Sequence, residues 1–163
     1  MEFGSVAVIP ATICQAPAGD LIGIRWRRDD LGLHFTCGMA FTTLYLIDSA
    51  ACITRAMAGS VVVTGSHGGD SAAGFALAVG PRLAVFNDAG GGLHDAGISG
   101  LRLLQEAGIA AATVAHTSAR IGHASSTWDE GVISHVNESA AALGLSPGQL
   151  CREALRALCG PAV

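Results

Sequence analysis

The chain has 163 residues, a formal net charge of -4 and only 13% charged residues, about half the roughly 25% of an ordinary soluble domain. All nine basic residues are arginine, which excludes a Schiff-base lysine, pyridoxal phosphate attachment and a Walker-type phosphate lysine. A mildly acidic chain with no basic run is also poorly suited to nucleic acid, and its half-apolar composition argues against disorder.

Met1 to Ser5 resembles a cloning remnant, which leaves residues 6–163 as a single expected domain. Val6 to Ile13 is apolar enough for a strand. Asp20 to Arg28 alternates apolar and polar residues as an edge strand or hairpin arm does, and Arg25 to Asp30 reads as a solvated charged turn. Phe41 to Ile47 is rich in strand formers and predicts a short strand ending at Asp48, with a helix over Ser49 to Met57 as the alternative.

From Ser60 onward one theme repeats. The β-branched run Ser60 to Thr64 predicts a buried strand, followed by Gly65-Ser66-His67-Gly68-Gly69-Asp70 and a helix to Val79 capped by Asp70 or Ser71. Arg82 to Phe86 predicts the next strand, ending in Asn87-Asp88-Ala89-Gly90-Gly91-Gly92. Asp95 then caps a helix with Ile98, Leu101, Leu104 and Ala107 on one face, stopped by Gly108. Ile109 to Ala115 predicts a third strand, ending in His116-Thr117-Ser118-Ala119-Arg120-Ile121-Gly122-His123. Thr127 to Glu130 has the form of a capping box, and Val132, Ile133, Val136, Ala140 and Leu143 continue one helical face to Gly144. Ser146-Pro147-Gly148-Gln149 is a second box, before a stripe of Leu150, Ala154, Leu155 and Leu158. Strands alternating with helices predict an α/β fold: a three-layer sandwich on a mainly parallel sheet, Rossmann-like or flavodoxin-like, with N-terminal strands added at an edge.

Ligands of open parallel sheets bind beyond the carboxyl ends of the strands, so the three polar loops are expected to meet on one rim. His67 is the expected general base, with Asp88 as its partner or as the acid. Ser118 is the expected catalytic hydroxyl, with Ser66 as the other candidate; neither lies in a nucleophile-elbow motif. Asn87 is the expected oxyanion donor, and Arg120 suits a substrate carboxylate. Gly68, Gly90, Gly91 and His116 complete the expected substrate-binding set, the glycines through backbone N–H groups that could face an anion.

Two resemblances attach to these motifs. Strand-Ser66-His67-Gly68 followed by strand-Asp88-Ala89 is similar to the caspase-like cysteine peptidases, except that Gly90 stands where their nucleophilic cysteine would be, so peptidase activity is not implied. The combination of Gly65 to Gly69, Asn87 to Gly90 and Ser118 to Gly122 resembles a set of small uncharacterised bacterial α/β proteins over roughly residues 48 to 158, which implies a shared site without a reaction.

The resulting expectation is a small cofactor-independent enzyme, a hydrolase or a lyase or isomerase, acting on a small polar molecule that carries a carboxylate or carbonyl. The alternatives are a non-catalytic module that binds a small ligand or anion, and a zinc hydrolase using three of His67, Asp70, Asp88, His94, His116 and His123. His34 and His135 are expected to be structural or on the surface. The cysteines, Cys14, Cys37, Cys52, Cys151 and Cys159, include no C-x-x-C pair and read as small buried hydrophobes in a reducing cytoplasm. The apolar stretches are shorter than the ~18 residues that span a bilayer. The scarcity of charge predicts a homo-oligomer.

Overall fold

The computed structural model describes residues 25–29, 32–37 and 42–158, with the side chains of the first two stretches and of Ala157 outside the description. The expectations for residues 1–24, Cys14 and Cys159, and for the side chains of His34 and Cys37, therefore fall outside the described residues.

Among the described residues, seven strands form one sheet in consecutive order: β1 (Arg25–Asp29), β2 (Gly32–Cys37), β3 (Thr42–Ile47), β4 (Val61–His67), β5 (Leu83–Asn87), β6 (Ala110–Val114) and β7 (Ile133–Val136). The pairs from β3 to β6 are parallel, and the sheet is antiparallel from β1 to β3 and between β6 and β7. Five α-helices among the described residues accompany it: α1 (Asp70–Val79), α2 (Gly100–Glu106), α3 (Ala124–Asp129), α4 (Glu138–Ala142) and α5 (Cys151–Leu158). This is an α/β fold in which the five strands β3 to β7 form a mostly parallel sheet, extended by the antiparallel β1 and β2. No helix among the described residues is long and apolar enough to cross a membrane.

The inner strands are apolar on both sides because both faces are covered. Val61, Val63, Leu83, Val85, Ala110, Ala112 and Val114 pack with Trp128, Ala140, Cys151, Ala154 and Leu155, from α3, α4 and α5. The alternate residues Val62, Ala84, Phe86 and Ala111 pack with Ala72, Ala73, Ala76, Leu101 and Leu104, from α1 and α2. Small residues let these layers approach closely. A Cβ on Gly100 would come within 2.5 Å of the Ala73 methyl, so the start of α2 is pressed against α1.

Several local expectations change. Ser49 to Met57 forms two 3-10 turns, Ala50–Cys52 and Arg55–Met57, rather than a helix. Gly69, not Asp70 or Ser71, is the N-cap of α1. Asp95 lies in a 3-10 turn, and the N-cap of α2 is Ser99, which makes no side-chain capping bond. The largest difference is the expected helix from Thr127 to Leu143, which is divided among α3, β7 and α4. Val132, Ile133 and Val136 match a helical face by spacing, but β-branched residues pack better on a pleated strand; Ile133 and Val136 lie in a strand antiparallel to β6, and Val132 just before it bridges Leu150. Thr127 caps nothing: it is buried inside α3, with its hydroxyl directed to the Thr64 and His123 carbonyls. The second box forms one of its bonds, from Ser146 N–H to Gln149 Oε1 at 2.8 Å, ahead of α5. Cys151 is buried as expected, which pushes its thiol up to about 12, whereas Cys52 is exposed.

Phe86 is fully buried between β5 and the α1–α2 layer. Phe86→Ala is expected to lower the unfolding free energy by about 3–5 kcal/mol. Phe75→Ala, on the exposed side of α1, is expected to lower it by less than about 1 kcal/mol. Urea denaturation of both variants checks the difference, and equal losses would contradict the packing described.

Candidate active site

The carboxyl ends of β3 to β6 point the same way because these strands are parallel. They deliver Asp48, Ser66 and His67, Asn87 and Asp88, and His116 to one edge of the sheet. The segment from Ala115 to His123 then crosses over the strand ends to reach α3, which packs against β4. Gly122 N–H donates to the Gly65 carbonyl at 2.7 Å, and any Cβ on Gly65 would overlap the backbone of Gly122 and His123. Residue 65 has to be glycine for this crossing to close.

Much of the polar chemistry at the rim holds that strap in place. Asn87 is fully buried; its Nδ2 donates to the Ala119 carbonyl at 3.1 Å and its Oδ1 accepts from Ala89 N–H at 2.8 Å. The expected oxyanion donor is thus spent on the loop and shielded from any ligand. Asp48 Oδ1 accepts from Ala124 N–H at 2.8 Å and caps α3 from the neighbouring strand end. Ser118 Oγ donates to the Ala115 carbonyl at 2.8 Å and accepts from Val132 N–H at 2.9 Å, so its proton is committed to a carbonyl and no base among the described residues is bonded to it. Ser66 Oγ accepts from Ala50 N–H at 2.9 Å. Gly68 is buried with its N–H on the Asn87 carbonyl and its own carbonyl on Gly100 N–H.

Asp88 is paired with His116 rather than with His67. One carboxylate oxygen, Oδ1, accepts from Gly90 N–H at 2.8 Å and from His116 N–H at 2.9 Å, and lies 3.0 Å from His116 Nδ1. The Asp88 side chain is 9% exposed and the His116 side chain 53%. Burial pushes the Asp88 carboxyl up, but the bonds from Gly90 N–H, His116 N–H, the Ser134 hydroxyl and the His116 ring outweigh it and hold the group below 3.8. An ionised carboxylate only accepts, so Nδ1 of His116 carries a proton and the lone pair of the neutral ring is on Nε2. Nε2 has no partner among the described residues.

His67 has the opposite arrangement. It is exposed, and its Nδ1 accepts from Gly69 N–H at 3.1 Å. The proton of its neutral ring is therefore on Nε2, and the nitrogen it offers outward is a donor rather than a base.

The loop after β5 is strained. Ala89, Gly90, Gly91 and Gly92 have φ of 49, 71, 77 and 72°, and His94 and Asp95 have 53 and 58°. Left-handed backbone costs a non-glycine residue about 1–2 kcal/mol, so the run persists because its ends are fastened. The Gly91 N–H bonds the Asp88 carbonyl at 2.8 Å, and the Gly91 carbonyl accepts from Gly97 N–H at 2.6 Å. The His116 ring lies flat against Gly90, where a Cβ would be 3.3 Å from Cε1. The N–H groups of Gly90 and Gly91 thus serve Asp88 rather than an incoming anion.

Arg120 is exposed; its backbone N–H bonds Ser126 Oγ, and its guanidinium forms no ion pair among the described residues. Among the described residues no three of His, Cys, Asp and Glu are grouped as a metal would require, so His67, Asp70, Asp88, His94, His116 and His123 do not assemble into a zinc ligand set. Sequence reasoning missed the hydrogen-bonded group of Thr113, Ser134 and His135 on β6 and β7. The signal that pointed to them was the β-branched run that marks β7. Comparison with protein-family models, with curated proteins and with solved structures gives no significant match.

The depressed Asp88 value fixes a pH dependence. The folded carboxyl binds its proton less tightly than the unfolded one, so its contribution to stability is complete above 3.8 and is lost as pH falls through that value to the folded one. Asp88→Asn is expected to be less stable than the parent at pH 7, with the difference shrinking below about pH 4. Denaturation midpoints of the two proteins between pH 7 and pH 3 test this; a difference that grows on acidification would contradict it.

Proposed function

We propose that the protein is a small enzyme that moves a proton with the Asp88–His116 pair, on a small polar substrate bearing a carboxylate or carbonyl. One observation carries the reading: a nearly buried carboxylate holds both the backbone N–H and the ring Nδ1 of a half-exposed histidine. That arrangement fixes the tautomer and the ring direction, and it stabilises the imidazolium that forms when Nε2 takes a proton. Arg120 is the group suited to anchor a carboxylate, since its fork is uncommitted among the described residues and matches two carboxylate oxygens. His67 supplies an outward N–H suited to a carbonyl oxygen.

The committed proton of Ser118 argues against an acyl-enzyme, so the favoured chemistry is direct. Nε2 of His116 removes a proton from a substrate carbon, as in an elimination or isomerisation, or from a water that attacks a carbonyl. The imidazolium then returns the proton to the leaving group or product. No cofactor is needed for either step. In this reading the helices on both faces make a three-layer sandwich. The strap from Ala115 to His123 takes the place of the strand-order reversal that creates the ligand crevice in Rossmann-like and flavodoxin-like sheets. The exposed Phe75 and Leu77 on α1 support assembly with a second copy, and a cytoplasmic setting belongs to the same proposal.

The test is turnover on a panel of aryl esters, lactones and 2-hydroxy and 2-oxo acids, followed by NMR. His116→Gln is expected to lower turnover about 10²–10⁴-fold, the range of a general base. Asp88→Asn is expected to fall alongside it, and Ser118→Ala to stay within about threefold on the panel substrate that the parent turns over. Full activity in a folded His116→Gln protein would overturn the assignment. Binding without turnover, unaffected by His116→Gln, would instead support a ligand-binding module.

A further inference from the structure

The peptide group that joins Ala119 to Arg120 is held at both ends. Its carbonyl accepts from Asn87 Nδ2 at 3.1 Å, and its N–H donates to Ser126 Oγ at 2.9 Å. The first bond ties it to the end of β5, one residue before Asp88, and the second ties it to α3. The Arg120 carbonyl in turn accepts from His123 N–H at 3.3 Å, which closes the turn that follows. A peptide group is planar, so with both edges bonded and the next turn closed, the direction in which the Arg120 side chain leaves the backbone is set.

The two anchors differ in kind. Asn87 is fully buried, whereas Ser126 is half-buried and Glu130 is exposed. A helical serine often returns its proton to the carbonyl four residues back. Ser126 instead donates to Glu130 Oε2 at 2.6 Å, the short separation of a hydroxyl bonded to a carboxylate. Its one proton is thereby committed, and Oγ meets the Arg120 N–H purely as an acceptor. Glu130 is the C-cap of α3, and its own N–H is bonded to the Ser126 carbonyl at 3.0 Å, so the two residues are locked through backbone and side chain alike.

We propose that Ser126 and Glu130 are positioning residues for Arg120: Glu130 orients the Ser126 hydroxyl, Ser126 fixes the Ala119–Arg120 peptide, and the guanidinium is presented to a substrate carboxylate from a backbone that no longer has to be ordered. This rests on Arg120 being the carboxylate anchor. Holding the anchor in place before binding reduces the conformational freedom lost when the carboxylate arrives, and so strengthens binding without any contact between Ser126 or Glu130 and the substrate. The charge of Glu130 opposes an anion, so electrostatics alone would have it weaken the site. Its positioning role has the opposite sign.

The probes are pyruvate and its neutral analogue pyruvamide. They are titrated by NMR into the parent protein and into Arg120→Gln, Ser126→Ala, Ser126→Thr, Glu130→Ala and Glu130→Gln, with amide spectra as the check on folding. Pyruvate binding is expected to weaken roughly three- to tenfold in Ser126→Ala and in Glu130→Ala, the factor that one hydrogen bond commands, while pyruvamide binding stays as in the parent. Ser126→Thr keeps the hydroxyl and Glu130→Gln keeps an acceptor oxygen, so both are expected to stay within about twofold of the parent. A loss in Arg120→Gln that Ser126→Ala or Glu130→Ala does not share overturns this proposal alone. Equal weakening toward pyruvamide overturns it as well, and so does tighter pyruvate binding in Glu130→Ala, which would mark Glu130 as a charge that only repels anions. Unchanged pyruvate binding in Arg120→Gln, or none in the parent, overturns the anchor itself and this proposal with it.

Discussion

One carboxylate oxygen organises the rim of this sheet. A buried charge is expensive unless it is paired and hydrogen-bonded, and Asp88 Oδ1 meets that requirement with Gly90 N–H, His116 N–H and the His116 ring. Each donor imposes a condition. Gly90 turns its N–H back toward the preceding strand end, which requires the left-handed backbone at φ 71°. His116 donates from both backbone and ring, so it must leave β6 beside Asp88, and the bond from Asp88 N–H to the Val114 carbonyl at 2.9 Å extends the strand pairing to hold that register. The neighbouring strands have to be parallel for both loops to emerge at the same end.

The remaining polar residues divide by reach and burial. Asn87, Thr64, Thr127, Asp48 and Ser118 have short side chains, and they are used on backbone groups that fasten the strap or strand ends. His67, His116 and Arg120 are exposed, with a nitrogen uncommitted among the described residues. A chain with so little charge thus uses its short polar side chains for construction, and leaves imidazole and guanidinium for chemistry. Arginine cannot exchange protons near neutral pH, so proton transfer falls to histidine, with the buried aspartate setting its direction.

The β-branched run of β4 and the glycine stops at Gly80 and Gly108 mark strand and helix ends by local chemistry, which is why the central βαβαβ pattern was readable from sequence. The stretch from Thr127 to Leu143 was not. Spacings of three and four residues fit a helix face, and only pairing with β6 decides in favour of the short strand β7. The candidate site shows the same division. Parallel strands bring their carboxyl ends together whatever lies beyond them, so the location of the polar rim could be inferred. Which histidine reaches Asp88 depends on the route of the strap over β4 and β5, a tertiary matter with no local signal. Ser134 and His135 were missed for the same reason, because reading β7 as helix took them off the sheet and away from Thr113.

The central claim is that Asp88 fixes His116 as a base with its lone pair on Nε2. Long-range proton–nitrogen NMR of the imidazole rings measures this directly. The account predicts that the neutral His116 ring carries its proton on Nδ1 in the parent protein and loses that preference in Asp88→Asn, whereas His67 carries its proton on Nε2 in both. A His116 ring protonated on Nε2 in the parent, or one whose tautomer is indifferent to Asp88→Asn, would contradict it.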